Sequence, residues 1–376
     1  MYYLIKVRSV RESNTQGELM VNEKEIIEFA KSIGVDLVRF TDAQLLNGIE
    51  ENFLQRKKNN QISELGPNRL ADKINPNNIL ESCKSIVVIG VQYPLTQYKT
   101  INNFGHMSSA GIGTDYHQIL WSYLEKIVDY INKNTEESIE YKICVDTCSL
   151  SDREIAYQSG IGYYGKNNFI INEAFGSAIN IGYILINQYF KKNSTTIEEK
   201  CGTCDICMKA CPGEAIESDD FEVNQCISQL TQRKGELSYR ERELIGKNIY
   251  GCDICQRVCP KNKFIENYTT EASTIDLFKL IQLSNKAFKS KYKNRGFSWR
   301  GNAVIKRNAI IALGNEELKE NYDKLLFLLK HPSMSIQKCT LWALYHSNKK
   351  RFLDINLLNK ELAIEKKKIL AYYKKS

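Results

Sequence analysis

The sequence predicts an α+β protein built in three consecutive parts, and three observations predict it. Strand and helix patterns alternate over the first 195 residues. Eight of the twelve cysteines then lie within residues 201–259. After residue 300 only helical patterns occur. We therefore expect four segments: an N-terminal extension (1–22), a mixed α/β domain (23–195), a cysteine-rich module (196–265) and a helical domain (266–376).

Length and composition fit a folded protein of more than one domain. Of its 376 residues, 43% are hydrophobic, 26% are charged and six are proline, which excludes wholesale disorder and fibrous repeats. The N-terminal apolar run, MYYLI, is far shorter than a signal-peptide core. No run of about eighteen apolar residues occurs either. We therefore expect a cytoplasmic monomer without a membrane partner.

The first part of the chain alternates between helical and extended patterns. EKEIIEFAKSI (23–33) has helical periodicity and ends before Gly34, and VDLVRF follows as a strand. SIVVIGVQYP (85–94) is an apolar strand closed by proline. IEYKICVD (139–146) is a β-branched strand, a helix begins at Asp152, and SAINIGYILIN (177–187) is a further strand. Between them, residues 115–134 form an amphipathic helix, with its apolar stripe at Ile119, Leu120, Tyr123, Leu124, Ile127 and Ile131.

Eight cysteines carry the most specific pattern in the chain. They read Cys201-x2-Cys204-x2-Cys207-x3-Cys211-Pro212, then Cys226, then Cys252-x2-Cys255-x3-Cys259-Pro260. In bacterial ferredoxins, three thiolates of such a run hold one cubane and the fourth holds the other. We predict two [4Fe–4S] clusters, one on Cys201, Cys204, Cys207 and Cys259, the other on Cys211, Cys226, Cys252 and Cys255. The alternative is two all-cysteine zinc sites, although these normally use CxxC pairs without a Cys-Pro closure.

The four remaining cysteines lie outside this pattern: Cys83, Cys144, Cys148 and Cys339. We expect most of them to be buried apolar side chains. The four histidines show no ligand spacing, so no histidine is predicted to ligate a cofactor.

The C-terminal quarter of the chain is strongly basic. From residue 281 onward, 21 Lys and Arg stand against 7 Asp and Glu, an excess of 14 positive charges. The whole chain has a net charge of +8, so the first 280 residues carry −6. This asymmetry indicates a polyanion bound at one end of the molecule, and a solvated lysine-rich surface is the alternative.

Two helical segments of this basic part resemble each other, RNAIIALG (307–314) and KCTLWALY (338–345). Their similarity predicts a short stack of HEAT-type helix pairs, which presents an extended surface. An unrelated helical bundle remains the alternative.

Asp146 is the candidate acid. It ends a predicted strand in an otherwise apolar segment. Desolvation raises the pKa of a carboxyl in such a place, so that it can donate a proton near neutral pH. Alternatively, Asp146 caps the next helix, a role that Asp152 could take equally well.

Five segments, in order along the chain, resemble the epoxyqueuosine reductase family. They are VDTCSLSDREIAYQSGIGYYGKNNFIIN, CGTCDICMKACPGEAI, QCISQLTQRKGEL, YGCDICQRVCPKN and FSWRGNAVIKRNAIIAL. The resemblance covers about residues 23–350. It implies a cobalamin-dependent iron–sulfur enzyme that removes the epoxide oxygen from epoxyqueuosine at the wobble position of tRNA. It also implies a corrinoid-binding domain like that of reductive dehalogenases, followed by a HEAT-like portion that helps to hold the tRNA.

The resemblance implies roles for individual residues as well. Asp146 corresponds to the family's proposed proton donor. A base-off cobalamin beside the second cluster is expected to contact Lys73, Ser108, Asp146, Ile170, Ile181, Ser228, Asp253 and Ile254. RNA contacts are predicted at Lys234, near the site, and in the basic part at Arg300, Lys306 and Arg307. An external low-potential electron donor would reduce the clusters.

Two other functions remain open at this point. The first is a corrinoid iron–sulfur reductase of a small organic molecule, akin to reductive dehalogenases, for which a basic helical domain has no evident use. The second is a non-catalytic, ferredoxin-type electron carrier that binds its partner on the helical repeats. A carrier of that kind needs neither cobalamin nor a proton donor.

Overall fold

The structure is a computed structural model, and it describes residues 21–46, 48–66, 69–97, 100–218, 220–262 and 274–374. The predicted extension at 1–22 lies outside the described residues except for its last two, and so does the predicted boundary at 265. Across these described ranges, no helix combines the length and apolarity needed to cross a bilayer.

The described elements include nine strands and sixteen α-helices. The strands are β1 Leu37–Asp42, β2 Ser85–Gln92, β3 Phe104–Met107, β4 Tyr141–Cys144, β5 Tyr163–Tyr164, β6 Ile170–Ile171, β7 Ile179–Ile186, β8 Asn248–Tyr250 and β9 Thr274–Asp276. The helices are α1 Glu23–Ser32, α2 Glu50–Lys58, α3 Leu70–Ile74, α4 Tyr116–Lys133, α5 Asp152–Gln158, α6 Ile206–Ala210, α7 Ile227–Gln232, α8 Tyr239–Ile245, α9 Ile254–Arg257, α10 Leu277–Gln282, α11 Asn285–Tyr292, α12 Asn302–Asn315, α13 Asn321–Leu325, α14 Met334–Ser347, α15 Lys349–Asp354 and α16 Lys360–Lys374. The predicted α+β class is confirmed.

A four-stranded antiparallel sheet organises the first part of the chain, in the order β1-β2-β7-β4. Strand β2 lies inside the sheet and is an unbroken apolar run because both of its faces are covered. Val87 and Ile89 pack into the cluster formed with α1 and α4. Ile86 and Val88 pack on the opposite face, in the cluster that includes Ile155 of α5. The predicted strands at 35–40, 85–94, 139–146 and 177–187 are thus confirmed as β1, β2, β4 and β7.

Helix α4 is the amphipathic helix that the sequence predicts. Its N-cap is Asp115, whose side chain accepts a hydrogen bond from the backbone N–H of His117. Leu120, Leu124, Ile127 and Ile131 of the predicted stripe are buried, whereas Ile119 is 38% exposed. The helix therefore turns its narrower apolar stripe to the sheet.

A second sheet joins all three parts of the chain. Its order is β8-β3-β9, so β3 of the first part pairs with β8 of the cysteine-rich module and with β9 of the helical part. One hydrophobic core continues through this region, from Met107 and Ile249 to Leu277 and Ile305. Helices α12 and α14, which contain the two similar segments, pack on each other within it. The three parts therefore share a core.

Candidate active site

Four of the predicted ligand cysteines line one cavity at the surface of the cysteine-rich module. They are Cys201, Cys204, Cys207 and Cys259. The cavity holds about 380 Å³ of empty space, part of it open to solvent. Lys166 donates hydrogen bonds to the carbonyls of Gly202 and Cys204, and Lys200 and Lys261 also line the space. In the described part of the chain, no three His, Cys, Asp or Glu side chains lie close enough together to hold one metal ion. The four thiols instead line a cavity.

The other four predicted ligands form a second, more buried group: Cys211, Cys226, Cys252 and Cys255. Burial, together with the charges of the nearby Cys226 and Cys211, raises the pKa of the Cys252 thiol to about 12. Burial also raises the pKa of Cys255, on which the other three thiols and then Cys207 of the first group act. The eight cysteines thus lie in two adjacent sets of four. Because burial raises the pKa of the Cys226, Cys252 and Cys255 thiols, bound metal is what would stabilise them as thiolates.

Asp146 lies in a tight turn closed by a disulfide. Its φ is +53°, and the N–H of Thr147 donates to the carbonyl of Val145 across it, which makes a γ-turn, a strained conformation. Cys144, at the end of β4, and Cys148 form a disulfide around this turn, with their Cα atoms 5.5 Å apart. The expectation of unpaired apolar thiols is therefore wrong for this pair.

The two other cysteines outside the eight, Cys83 and Cys339, are free and buried, as predicted. The capping role considered for Asp146 is wrong, because the N-cap of α5 is Ser151. Asp152 occupies the first helical position after this cap, and no side-chain hydrogen bond caps the helix. The Asp146 carboxylate instead interacts with His117 and Tyr116.

His117 lies between two carboxylates. Its Nδ1 is 2.7 Å from Oδ1 of Asp115, and its Nε2 is 3.5 Å from Oδ2 of Asp146. The ring of Tyr116 stacks on the imidazole with centroids 4.1 Å apart. No sequence motif links His117 to these two carboxylates. The fold brings the three side chains together.

We call the group of Asp146, Tyr116, His117 and Tyr250 the Asp146 cleft; the charge of Asp146 acts on each of the other three side chains. The Asp146 side chain is 63% exposed, yet enough protein surrounds it that burial opposes its ionisation. The hydrogen bond and charge of His117 outweigh burial and lower the pKa of Asp146 below its ordinary value, and Tyr116 adds to this effect. The sequence-based expectation of a raised pKa for Asp146 is therefore wrong. The interaction with His117 lowers this pKa by more than burial raises it.

A second carboxyl, that of Asp152, lies close enough to Asp146 to feel its charge. Burial, followed by the charge of Asp146, raises the pKa of Asp152 to about 7. The Tyr183 hydroxyl donates a 2.9 Å hydrogen bond to Asp152. Lys73, a predicted cobalamin contact, is close enough to act on Asp152, and burial followed by Arg153 lowers the pKa of Lys73. Lys73 thus lies on the Asp146 side of the structure.

Other predicted cobalamin contacts lie on segments that pack around this cleft. The Ser108 N–H donates to the Tyr250 carbonyl at 2.9 Å. Gly251, which has a φ of +69°, follows directly, and a Cβ there would overlap the Ser108 hydroxyl. Asp253 is 1% exposed; its carboxylate accepts hydrogen bonds from the Ser109 N–H and hydroxyl. Its side chain therefore holds two segments together and is not presented to the cleft.

The remaining predicted contacts have different surroundings. Ile170 and Ile181 belong to the hydrophobic cluster that also contains Cys144 and Cys148, with Ile170 only 3% exposed. Ser228 lies on α7, which packs on β8. Ile254 begins α9, directly after Asp253. The structure thus places all eight predicted contacts on segments near the Asp146 turn or the second cysteine group.

The predicted RNA contacts divide into two pairs. Lys234 is exposed, and Arg300 is half-buried, with its guanidinium stacked 4.9 Å from the ring centroid of Trp299. Arg307 is 2% exposed and donates to the carbonyls of Leu230, Arg233 and Gly235. Lys306 is 7% exposed and donates to the Leu283 carbonyl. The expectation of RNA contacts is therefore wrong for Lys306 and Arg307, whose charged groups are used by backbone carbonyls inside the protein.

Trp299 and Tyr250 are site residues that the sequence patterns do not predict. Trp299 is 54% exposed, and its indole N–H donates a 2.9 Å hydrogen bond to the Tyr250 hydroxyl. Tyr250 in turn feels the charges of Asp146 and Asp115. A large aromatic side chain therefore stands exposed at the edge of the Asp146 cleft. The only sequence signal was its place in FSWRGN, beside Arg300.

Two family models match the chain. One, described as a 4Fe-4S double cluster binding domain, matches residues 200–262. The other, described as epoxyqueuosine reductase QueG, DUF1730, matches residues 73–147. An α+β fold with a 4Fe-4S double cluster binding domain defines the class, an iron–sulfur oxidoreductase. The match to a 4Fe-4S double cluster binding domain favours iron–sulfur clusters over the alternative of two zinc sites.

Known relatives resemble the chain over nearly its full length. The epoxyqueuosine reductase of Bacillus anthracis is 34% identical over 336 residues, which is 86% of this chain and 88% of the relative. A crystal structure of an epoxyqueuosine reductase with an epoxyqueuosine-modified tRNA-Tyr stem loop is 31% identical, with a TM-score of 0.85 over 93% of this chain and 98% of that one. The chain therefore belongs to the epoxyqueuosine reductase family.

A further similar structure is that of a relative from another species. It is a Bacillus subtilis epoxyqueuosine reductase whose catalytic aspartate loop is swung out of the active site; it is 30% identical, with a TM-score of 0.84 over 93% of this chain and 98% of that one. Membership of this family favours an enzyme over the non-catalytic electron carrier.

Proposed function

We propose that this protein reduces epoxyqueuosine to queuosine in tRNA. The observation that carries the proposal is its similarity, along 93% of the chain, to an epoxyqueuosine reductase solved with an epoxyqueuosine-modified tRNA stem loop. Removal of the epoxide oxygen as water consumes two electrons and two protons and leaves a carbon–carbon double bond. No side chain supplies the electrons, so an external low-potential donor must deliver them through bound cofactors.

The two cysteine groups would hold the two clusters, as their spacing predicts: Cys201, Cys204, Cys207 and Cys259 for the first, and Cys211, Cys226, Cys252 and Cys255 for the second. A base-off cobalamin would lie in the Asp146 cleft, beside the second group. The Asp146 side chain is 63% exposed, so its carboxylate is accessible to a bound group. When bound, the clusters supply single electrons and the corrinoid supplies a cobalt centre for two-electron chemistry.

Asp146 would deliver protons to the leaving oxygen. Its carboxylate is the exposed polar group of the cleft, while the γ-turn and the Cys144–Cys148 disulfide restrict its position. Tyr116 adds a hydrogen bond to this carboxylate, and Tyr250 lies close enough to feel its charge. Positioning of this kind shortens the path of the proton when the carbon–oxygen bond breaks.

The RNA would lie across the edge formed by Lys234, Trp299 and Arg300. Trp299 offers an exposed ring on which an unpaired base can stack, and Lys234 and Arg300 offer positive charge for phosphates. The helical part from residue 266 onward would form HEAT-like repeats. Its exposed lysines would extend the RNA-binding surface. The mixed domain before it would be the corrinoid-binding part.

The test is turnover by the reconstituted enzyme. The full chain is reconstituted without oxygen with iron, sulfide and cobalamin, and incubated with a reductant and epoxyqueuosine-containing tRNA. Mass spectrometry of the nucleosides should show the loss of one oxygen atom. Asp146→Asn should abolish turnover and leave the visible spectra of the cofactors intact, while Asp129→Asn, an exposed position on α4, should remain active. Zinc in place of iron, or no queuosine from the wild type, would refute the proposal.

A further inference from the structure

The protonation of Asp146 poses a problem for its proposed role. His117 lowers the pKa of Asp146 below its ordinary value, so this carboxyl is ionised at neutral pH. An ionised carboxylate can relay a proton, but it holds none to give. Another group must therefore store the proton close to Asp146.

His117 has the position that such a group requires. Its two ring nitrogens each face one carboxylate, Asp115 at 2.7 Å and Asp146 at 3.5 Å. The contact to Asp146 is a long hydrogen bond, as is common in free enzymes, in which catalytic contacts tighten only when the substrate binds. With a side chain 28% exposed, His117 can also exchange protons with solvent.

The surroundings of His117 favour its charged form despite two opposing effects. Burial disfavours the imidazolium, and so does the positive N-terminal end of α4, an effect of about 0.3–1 kcal/mol. The hydrogen bonds to Asp115 and Asp146, together with their charges, outweigh burial and raise the pKa of His117 to about 9. Burial tends to raise the pKa of Asp115, but the hydrogen bond and charge of His117 lower it overall. Asp115 therefore stays ionised as the fixed counter-charge.

The rest of the fold holds this pair in place. Asp115 caps α4 through the backbone N–H of His117, and its own N–H donates to the Asn294 carbonyl at 2.8 Å. The remaining groups that act on Asp146 or line the cleft are Tyr116, Tyr250, Asp152 and Arg153. Of these, Arg153 is the other cation that acts on Asp146.

We propose that His117 stores the proton for the reaction and passes it through Asp146, while Asp115 positions the imidazolium. The inference rests on the proposed function. When the carbon–oxygen bond breaks, its electron pair stays on oxygen; the proton moves from Nε2 of His117 to Asp146 and from Asp146 to this oxygen. His117 takes a second proton from solvent, which follows the same route as the oxygen leaves as water. The two electrons come from the external low-potential reductant.

Residue-specific labelling tests the stored proton without turnover. Of the two protonation states of histidine, diethyl pyrocarbonate acylates the neutral imidazole and not the imidazolium. The rate at which the His117 side chain is labelled in the holoenzyme, measured by peptide mass spectrometry as a function of pH, therefore reports its pKa. We expect a midpoint near 9 for His117 and a lower midpoint in Asp115→Asn. His331, whose pKa burial lowers, is the internal reference. A His117 midpoint at or below the ordinary value of 6.5 would overturn the inference.

Kinetics then test the relay. His117→Gln should lower kcat by about 100-fold or more, the usual scale of general acid catalysis, with KM for tRNA unchanged and cofactor spectra intact; imidazole should partly restore His117→Ala. The control His331→Gln should match the wild type. Wild-type kcat should fall as pH rises through about 9, and at lower pH in Asp115→Asn. A fully active His117→Gln would overturn the relay alone, whereas an inactive wild type would overturn the proposed function and the relay with it.

Discussion

Cys144 and Cys148 are joined by a disulfide that encloses the turn of Asp146. The candidate proton-transfer carboxylate is thus held between the buried end of a strand and a covalent link. Because the disulfide links the two ends of this turn, it restricts how far Asp146 can move.

Cys148→Ala should loosen this turn. Closing a loop of this size contributes roughly 2 kcal/mol by the chain-entropy model, so the variant should be less stable by about that amount. Hydrogen exchange at the Thr147 amide, which donates across the turn, should become faster. Cys83→Ala, at a buried free cysteine, is the control and should leave that amide unchanged. Equal exchange in Cys148→Ala and the wild type would mean that the disulfide does not restrain Asp146.

Cys226→Ala should remove one cluster and keep the other. Cys226 lies in the buried group with Cys211, Cys252 and Cys255, whereas the first group has its own cavity. Iron and sulfide per chain, measured after anaerobic reconstitution, should fall by half, and Cys83→Ala should keep the full content. Loss of all the iron would show that the two groups do not assemble independently.

Asp152 should make stability depend on pH. Its pKa in the folded protein is about 7, against an ordinary value of 3.8, so its contribution is fully present below about pH 4 and is lost as pH rises to about 7. The Tm of the wild type should therefore fall relative to that of Asp152→Asn between pH 5 and 7, and the difference should level off above that range. Thermal scans of both proteins in matched buffers measure this. A constant difference across the range would contradict the raised pKa.

Trp299→Ala should weaken binding of the tRNA stem loop. Stacking of a base on an aromatic ring contributes about 1–3 kcal/mol, which corresponds to a rise in Kd of roughly 5-fold or more. Lys234→Glu should also weaken binding and reduce its salt dependence. Fluorescence anisotropy with a labelled stem loop at two salt concentrations measures both effects. Trp342→Phe, at a fully buried tryptophan, should keep its affinity; a similar loss there would indicate a general defect of folding.

Arg307→Ala should destabilise the protein. Its guanidinium donates to three backbone carbonyls of the segment 230–235 and to the Asn308 side chain, and hydrogen bonds to charged groups contribute about 1.5–3 kcal/mol each. We expect a Tm lower by about 5 °C or more, while the exposed Lys234→Ala stays within about 1 °C of the wild type. A stable Arg307→Ala with weakened RNA binding would restore Arg307 as an RNA contact.

The sequence predicted those features that depend on local spacing. The two cysteine sets follow from CxxC runs, and Asp146 follows from its place at the end of a strand. His117 was missed because its partner Asp146 is distant in the chain and no motif links them. The same limit explains Arg307: a count of charges predicts a basic surface, but only the fold shows that the carbonyls of Leu230, Arg233 and Gly235 take up this guanidinium. The β8-β3-β9 sheet was missed for the same reason.

That three-stranded sheet also affects how the protein is made. Strand β3 leaves the ribosome early, and its partners β8 and β9 follow only after most of the chain has been translated. Until then, Phe104–Met107 has unpaired edges, a state that favours pairing with other chains. We therefore expect the core that the three parts share to form only when both β8 and β9 have left the ribosome.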